Sequence, residues 1–323
     1  MRAAIYDRRG TSEVLRVTDV PTPGPGVGEV RVRLQVAAVN PTDWKSRTGS
    51  GELAFPFQVP GQDGAGIIEA VGPGVDLARI GERVWVYHAA WQRQWGTAAQ
   101  FTVVPARQAI PLAAGVDIDL AASLGIPFIT AFGCLYSDGP IDGKTVLVHG
   151  GAGAVGNAAI QLARRGGAHV IATVSSPAKA DLAEAAGAHV IINYRDSDAV
   201  EQVKAAARAG VDRVIEVNLT DNLDLDLAVL TSQGVIVTYA ADRPDPTIPV
   251  RKLMFGNTVL RFAIVYSFTQ SMLDAATSKI SAALEEGALT PLPFLRYSLD
   301  QISAAHDAVE GRAVGKVLID LPV

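Results

Sequence analysis

Two kinds of hydrophobic spacing divide this chain. Up to about residue 120, short apolar or alternating runs occur at 2–6, 14–20, 29–39, 66–71 and 83–87. Turn-forming clusters separate them, among them Pro21-Thr22-Pro23-Gly24-Pro25-Gly26, Val59-Pro60-Gly61 and Gly72-Pro73-Gly74. Runs of this kind bounded by Pro and Gly predict short β-strands, and several in succession predict a compact, partly barrel-like domain. From about residue 123 the pattern changes to strands alternating with helices. Strands are expected at 145–149, 170–174, 189–193, 212–217, 234–239 and 258–265, and helices at 157–165, 177–186, 199–209 and 222–230. Such alternation predicts a parallel, doubly wound sheet with helices on both faces. A helix at 271–285, a Pro-bounded segment, a stretch at 298–310 and a last strand at 316–320 follow. The expected fold is therefore α/β, with a β-rich domain over 1–122, a doubly wound domain over 123–265, and a segment over 266–323 returning to the first.

The first strand–helix corner of the second domain carries chemistry. The apolar run Thr145-Val146-Leu147-Val148-His149 leads into Gly150-Gly151-Ala152-Gly153-Ala154-Val155-Gly156. Gly151, Gly153 and Gly156 fill the three slots of G-x-G-x-x-G. The first is expected to permit a tight turn, the second a close approach of pyrophosphate to backbone, and the third close helix–strand packing. A helix starting there offers unpaired N–H groups and a positive dipole end to phosphate. Two other glycine pairs, Gly64-Ala65-Gly66 and Gly49-Ser50-Gly51, lack this context and are expected to be turns.

Which dinucleotide follows from the end of the second strand. An NAD site usually places an acid about 20 residues past the glycines, on the ribose 2′-hydroxyl. Here the segment reads Val174-Ser175-Ser176-Pro177-Ala178-Lys179, with no acid before Asp181. Ser176 suits a helix N-cap and Pro177 the first helical position, which puts Lys179 in the first turn, against the helix dipole. A 2′-phosphate would reward it, with Ser175 and Ser176 as further donors. NADPH is the expected coenzyme.

Composition excludes more than it selects. The 323 residues carry a net charge of −5, which gives no electrostatic reason to bind nucleic acid or an anionic membrane. No apolar run reaches membrane-span length, and residues 1–10 lack a signal-peptide core, so a cytoplasmic location is expected. A single cysteine, Cys134, precludes an intrachain disulfide.

Several segments in order resemble one family. They are Ala37-Ala38-Val39-Asn40-Pro41-Thr42-Asp43, Pro60-Gly61-Gln62-Asp63-Gly64-Ala65-Gly66, Gly81-Glu82-Arg83-Val84, Gly96-Thr97-Ala98-Ala99-Gln100-Phe101, the glycine motif, and Ile192-Asn193-Tyr194-Arg195. Together they resemble the medium-chain dehydrogenase/reductase superfamily, and within it the zinc-independent quinone oxidoreductase (ζ-crystallin-like) branch. The resemblance implies a GroES-like catalytic domain, a Rossmann domain and a homodimer. It places the acceptor near Asn40, Asp43, Trp44 and Lys45, with Lys45 also a coenzyme contact. Asn40 and Thr130 are the implied catalytic residues that polarise the acceptor. An alternative is that Asn40 and Asp43 only order a turn after their strand. Coenzyme contacts implied by position are Ala152, Ala154 and Val155 with the three glycines, Tyr194 at the adenine ribose, Asn222 (or a helix N-cap), and Tyr239, Ala240, Ala241, Phe262, Ala263 and Ile264 on the nicotinamide side. His88 is a lesser candidate for substrate contact.

No catalytic zinc is expected. One cysteine cannot build a four-cysteine lobe, and Gly61-Gln62-Asp63 stands where zinc relatives have Gly-His-Glu. The five histidines are scattered without metal-ligand spacing. Without a Lewis acid, hydride delivery to an already electrophilic acceptor remains feasible, because a quinone or enone stabilises the charge it receives. The expected activity is NADPH-dependent reduction of quinones, or alternatively of activated C=C bonds such as enones and 2-haloacrylates. A reading of another class is a ζ-crystallin-like binding or RNA-binding protein, against which the acidic charge and the intact glycine motif both speak.

Overall fold

The computed structural model describes residues 1–241 and 244–321. Its contacts divide the chain into two compact units: 1–126 with 279–287 and everything from Pro293 onward, and 127–278 with 288–292. In the first, β1 (Arg2–Ile5) and β2 (Arg16–Asp19) form an antiparallel ribbon. β3 (Glu29–Ala38) alternates inward Val30, Val32, Leu34 and Val36 with outward Arg31, Arg33 and Gln35. Each buried Val or Leu contributes about 1.5–3 kcal/mol, so a one-residue slip of register would forfeit most of this face. α1 (Pro41–Thr48) follows, then β4 (Asp63–Val71), β5 (Arg83–Val86), β6 (Phe101–Pro105), β7 (Ala109–Pro111) and the short α2 (Ile118–Ala122).

Two expectations fail in this unit. Gly64-Ala65-Gly66 is not a turn but the start of β4. A Cβ on Gly66 would lie 2.0 Å from the Arg33 carbonyl oxygen, beside a register shift between β3 and β4. Glycine there serves close strand contact. The Gly49-Ser50-Gly51 pair does turn, with Gly51 at φ +82°. The second failure is α1, a helix where strand and turn signals alone were visible. Pro41 fits its first position, and Asp43 accepts the Asn40 N–H at 2.7 Å, a side-chain-to-backbone cap at the helix start.

α3 (Gly125–Tyr136) runs into the second unit. There β8 (Thr145–Val148), α4 (Ala154–Arg165), β9 (His169–Val174), α5 (Pro177–Ala185), β10 (Val190–Asn193), α6 (Ala199–Ala206), β11 (Val211–Glu216), α7 (Leu219–Val229), β12 (Leu230–Thr238), α8 (Val250–Gly256) and β13 (Val259–Phe262) alternate. The sheet order is β10-β9-β8-β11-β12-β13, and every pairing is parallel. The order reverses between β8 and β11, the point where doubly wound sheets bind ligands at their carboxyl ends. α4 begins at Ala154 rather than at 157. Its first turn thus lies inside the glycine motif.

α9 (Gln270–Glu285) leads to β14 (Phe294–Ser298), α10 (Ile302–Glu310) and β15 (Lys316–Asp320). β15 pairs antiparallel with β3 and parallel with β14, completing the seven-stranded sheet of the first unit. Among the described residues no helix is long and apolar enough to cross a membrane.

Candidate active site

Around the glycine turn, backbone sterics decide which glycine does what. The left-handed residue is Gly150, at φ +68°, so the turn depends on it rather than on Gly151. Gly151 is needed for packing: a Cβ there would meet the Ala172 and Ile160 side chains at 3.0 Å. Gly156 has no room at all, since its Cβ would sit 2.3 Å from the Gly150 oxygen. Gly153 precedes α4 and is exposed, with only the Gly150 oxygen at 3.3 Å from an added Cβ. Ala154 and Val155 beside it are half-buried. The first N–H groups of α4 have no partner within the helix and open where an anion can reach them.

At the end of β9, Ser175 is buried and the Lys179 ammonium donates to its Oγ at 3.1 Å. Lys179 therefore folds back over the strand end instead of extending into solvent. Ser176 is the N-cap of α5, but its side chain makes no capping bond and is left available to a ligand. Tyr194 follows β10, is exposed, and its N–H bonds the Val174 oxygen at 3.1 Å. Serines, lysine and tyrosine thus share the carboxyl edge of neighbouring strands.

Further along that edge lie Tyr239, Ala240 and Ala241 after β12, with Phe262, Ala263 and Ile264 beside them. The Ala263 N–H reaches the Thr238 oxygen at 2.8 Å. Asn222 is inside α7 and is not its N-cap, a place taken by Asn218. The Asn222 amide donates to Glu216 Oε1 at 3.0 Å.

Under the glycine turn is a buried cluster. His149 Nδ1 meets Thr173 Oγ1 at 2.9 Å, while Nε2 is 2.8 Å from Asp226 and 3.6 Å from Glu216. Burial opposes charge on the ring, but Glu216 and Asp226 outweigh it and hold the imidazole pKa at about 9. Burial likewise pushes Glu216 up to about 7 despite the attraction of His149. A charged imidazole here ties β8, β9, β11 and α7 together beneath the glycine turn. These three side chains are the described group of metal-ligand types, all ligand atoms within 4.8 Å. The 2.8 Å Nε2–Oδ1 separation is that of a charge-assisted hydrogen bond.

In the first unit, Asn40 is fully enclosed and fully engaged. Its Nδ2 donates to Asp63 at 2.7 Å and its Oδ1 accepts from Lys316 Nζ at 2.5 Å. Asp63 also accepts the Ile126 N–H at 2.8 Å, at the start of α3. Burial raises Asp43 to about 7, and raises Asp63 to about 6 against the pull of Lys316. Burial lowers Lys316, with Asp63 and Asp43 resisting. Next to this cluster opens a cavity of about 340 Å³ lined by Tyr6, Asp43, Phe55, Gln62, Trp91 and Arg93 among others. Asp43, not Asn40, reaches its wall. Trp44 and Lys45 follow on α1, the Lys45 ammonium 5.7 Å from the Trp44 ring centre. His88 is buried against Tyr87, and burial depresses its pKa to about 4, so it is a neutral packing group. Thr130 is buried on α3 in the second unit.

Residues 154–282 match the family described as zinc-binding dehydrogenase, and residues 26–114 the alcohol dehydrogenase GroES-like domain. Over 326 aligned residues the chain is 31% identical to rat (Rattus norvegicus) quinone oxidoreductase, covering 99% of this chain and 97% of the relative. The chain belongs to the quinone oxidoreductase branch of the medium-chain dehydrogenase/reductase superfamily. Among solved structures, an NAD-dependent alcohol dehydrogenase matches at 29% identity with a TM-score of 0.89, covering 100% of both chains. A mycobacterial protein solved with NADPH matches at 31% identity and 0.87, covering 99% of this chain and all of the other. This quinone oxidoreductase relative is an oxidoreductase with a GroES-like unit and a Rossmann unit of the NAD(P) type.

Two features of this family member escaped sequence reasoning. His149, Glu216 and Asp226 are far apart in the chain and are joined only by parallel strand pairing. Lys316, near the end of the sequence, meets Asn40 because β15 joins β3. The available signal was a lysine opening the continuous apolar run Val317-Leu318-Ile319: a lysine in a buried strand asks for a buried partner.

Proposed function

We propose that this chain is an NADPH-dependent reductase of quinones that works without zinc. The observation that carries the coenzyme choice is the Lys179 ammonium folded onto Ser175, at a strand end with no acidic side chain before Asp181. A ribose 2′-phosphate would find there a cation and hydroxyl donors, whereas a bare 2′-hydroxyl would lack its usual carboxylate. Pyrophosphate is assigned to the first turn of α4 between Gly151 and Gly156, and the adenine ribose to Tyr194. The nicotinamide side is assigned to Tyr239, Ala240, Ala241, Phe262, Ala263 and Ile264. Asn222 is assigned a coenzyme role through Glu216, to which its amide is already bonded. When bound, NADPH supplies a hydride. The acceptor is assigned to the cavity of the first unit, whose lining groups would orient it.

What supports independence from zinc is the donor set. Asn40 and Gln62 carry amides, poor zinc ligands, and the Asn40 oxygen already faces a lysine ammonium at 2.5 Å. A dication beside that ammonium would be repelled. The one thiol, Cys134, is buried and pushed up to about 12, far from a thiolate ligand.

The reading is tested by NADPH oxidation with 1,4-benzoquinone and 9,10-phenanthrenequinone beside an enone panel. Turnover of quinones supports it; turnover of enones with quinones inert moves the chain to the C=C reductases. Lys179→Ala should lower kcat/KM with NADPH by roughly 10- to 100-fold, the loss of one charged contact, and leave NADH nearly unchanged. Equal effects on both coenzymes would remove the assignment. β13 is a sheet edge with Phe262 and Ile264 exposed. Such an edge invites pairing with a second copy, and a homodimer is expected by light scattering; a monomer at assay concentration would rule it out.

A further inference from the structure

Among the described residues of the first unit, Trp91 is the one exposed aromatic side chain, 40% open and on the lining of the cavity. An indole left partly in water forgoes burial that usually stabilises so large a ring, so its place asks for a reason. The backbone that presents it is unusual as well. His88 at φ 55° and Gln92 at φ 56° both lie in the left-handed region, although each carries a Cβ. That region is costly for such residues and persists only where the surroundings impose it. Here they do. Before Trp91, His88 is buried against Tyr87, and the Ala89 N–H donates to the Gln62 carbonyl oxygen at 3.1 Å. After it, the Gln58 amide donates to the Arg93 and Gln94 carbonyl oxygens at 2.8 and 3.0 Å, and the Arg93 guanidinium pairs with Glu29. The Trp91 N–H closes a turn onto the His88 oxygen at 3.2 Å. Trp91 thus sits on a short loop fastened at both ends, with little freedom to lose when a ligand arrives.

The cavity itself has matching chemistry. At about 340 Å³ it lies at the small end of the range for small-molecule sites, roughly 300–1,000 Å³. Tyr6 after β1 and Phe55 after α1 add aromatic lining. Burial pushes the Tyr6 hydroxyl up to about 12, so it stays neutral. Arg9, held by the Gly51 and Ser46 carbonyl oxygens, brings a guanidinium to the same lining. The face of an indole is negative, and a ring drained by its own carbonyls offers a positive face to stack on it. We infer that Trp91 is the specificity-determining residue of this cavity, stacking on the ring of a flat aromatic dicarbonyl and favouring several fused rings over one. Stacked area grows with each fused ring, so the larger acceptor gains most from the indole. The part Trp91 plays in turnover rests on the reading of the chain as a quinone reductase, whereas the binding itself does not.

Trp91→Ala and Trp91→Phe test the assignment at a position exposed enough for both to fold. In Trp91→Ala the KM for 9,10-phenanthrenequinone should rise roughly 10-fold, the worth of one stacked pair. Its kcat should stay within about twofold, as for lost ground-state binding, and 1,4-benzoquinone should lose far less affinity. Trp91→Phe, which keeps a ring face, should recover most of the loss. A second readout needs no coenzyme. Equilibrium dialysis of the coenzyme-free protein should show 9,10-phenanthrenequinone retained by the wild type, weakly by Trp91→Ala, and 1,4-cyclohexanedione, which lacks an aromatic face, equally by both. An equal loss for both quinones overturns the assignment, and so does a Trp91→Phe variant no better than Trp91→Ala. Equal retention of phenanthrenequinone by wild type and Trp91→Ala overturns it as well. If the wild type turns over neither quinone, the reductase reading fails, and dialysis still decides whether Trp91 holds the ring.

Discussion

Gly156→Ala is expected to lower Tm by several degrees and to abolish NADPH binding, whereas Gly153→Ala leaves Tm unchanged and weakens binding only. The difference lies in what an added methyl meets. At Gly156 it would be 2.3 Å from the Gly150 carbonyl oxygen, a backbone atom held by the left-handed turn at Gly150. Neither side can yield without moving α4 away from β8, a cost of about 3 kcal/mol typical of forced overpacking. At Gly153 the nearest contact is 3.3 Å to the same oxygen, close enough to ask for a shift of a few tenths of an ångström, which an exposed position can give. A methyl there is tolerated by the protein but would occupy space assigned to the pyrophosphate in the proposed site. Loss of one charged hydrogen bond costs about 1.5–3 kcal/mol, or roughly 10- to 100-fold in Kd. Calorimetry of both variants with and without NADPH checks the pair, and matching Tm losses would refute the division of roles.

Lys316→Met is expected to destabilise the first unit by about 3–5 kcal/mol at neutral pH, since it takes from two buried carboxyls the ammonium that attracts both. The effect should depend on pH. Burial raises Asp43 to about 7 and Asp63 to about 6, both above the ordinary 3.8. Between about pH 4 and 7 the folded state therefore holds more protons than the unfolded one, and stability falls as pH rises through that window. Lys316 offsets part of that loss by attracting the ionised carboxylates. Removing it should cost little near pH 4, where both acids are neutral, and the full amount above about 7. Denaturant titrations of wild type and variant across this range measure the gap, and a constant difference would mean that Lys316 acts by packing alone.

Much of the edge proposed to bind coenzyme could be located because its signals are local. A strand, a glycine run and a helix start fall within a dozen residues, and Ser175, Ser176 and Lys179 sit at one strand end. The assignment of the tight turn to Gly151 was not legible, because positive φ at Gly150 depends on how the turn meets β11 and α4. The partners of Asn40 were not legible. Its amide looks free in sequence, yet Asp63 and Lys316 consume it, and Asp43 is left at the cavity wall.

The sequence by itself determined the two architectures, the superfamily and the glycine turn at the start of α4, since periodicity and short motifs encode those things within single elements. Tertiary structure alone decided the ionisation of the buried groups. His149 is raised because β11 and α7 bring Glu216 and Asp226 to it, and Asp43 and Asp63 are raised because the fold buries both. Burial multiplies the energy of each such meeting, and partners hundreds of residues apart leave no mark on each other's local sequence.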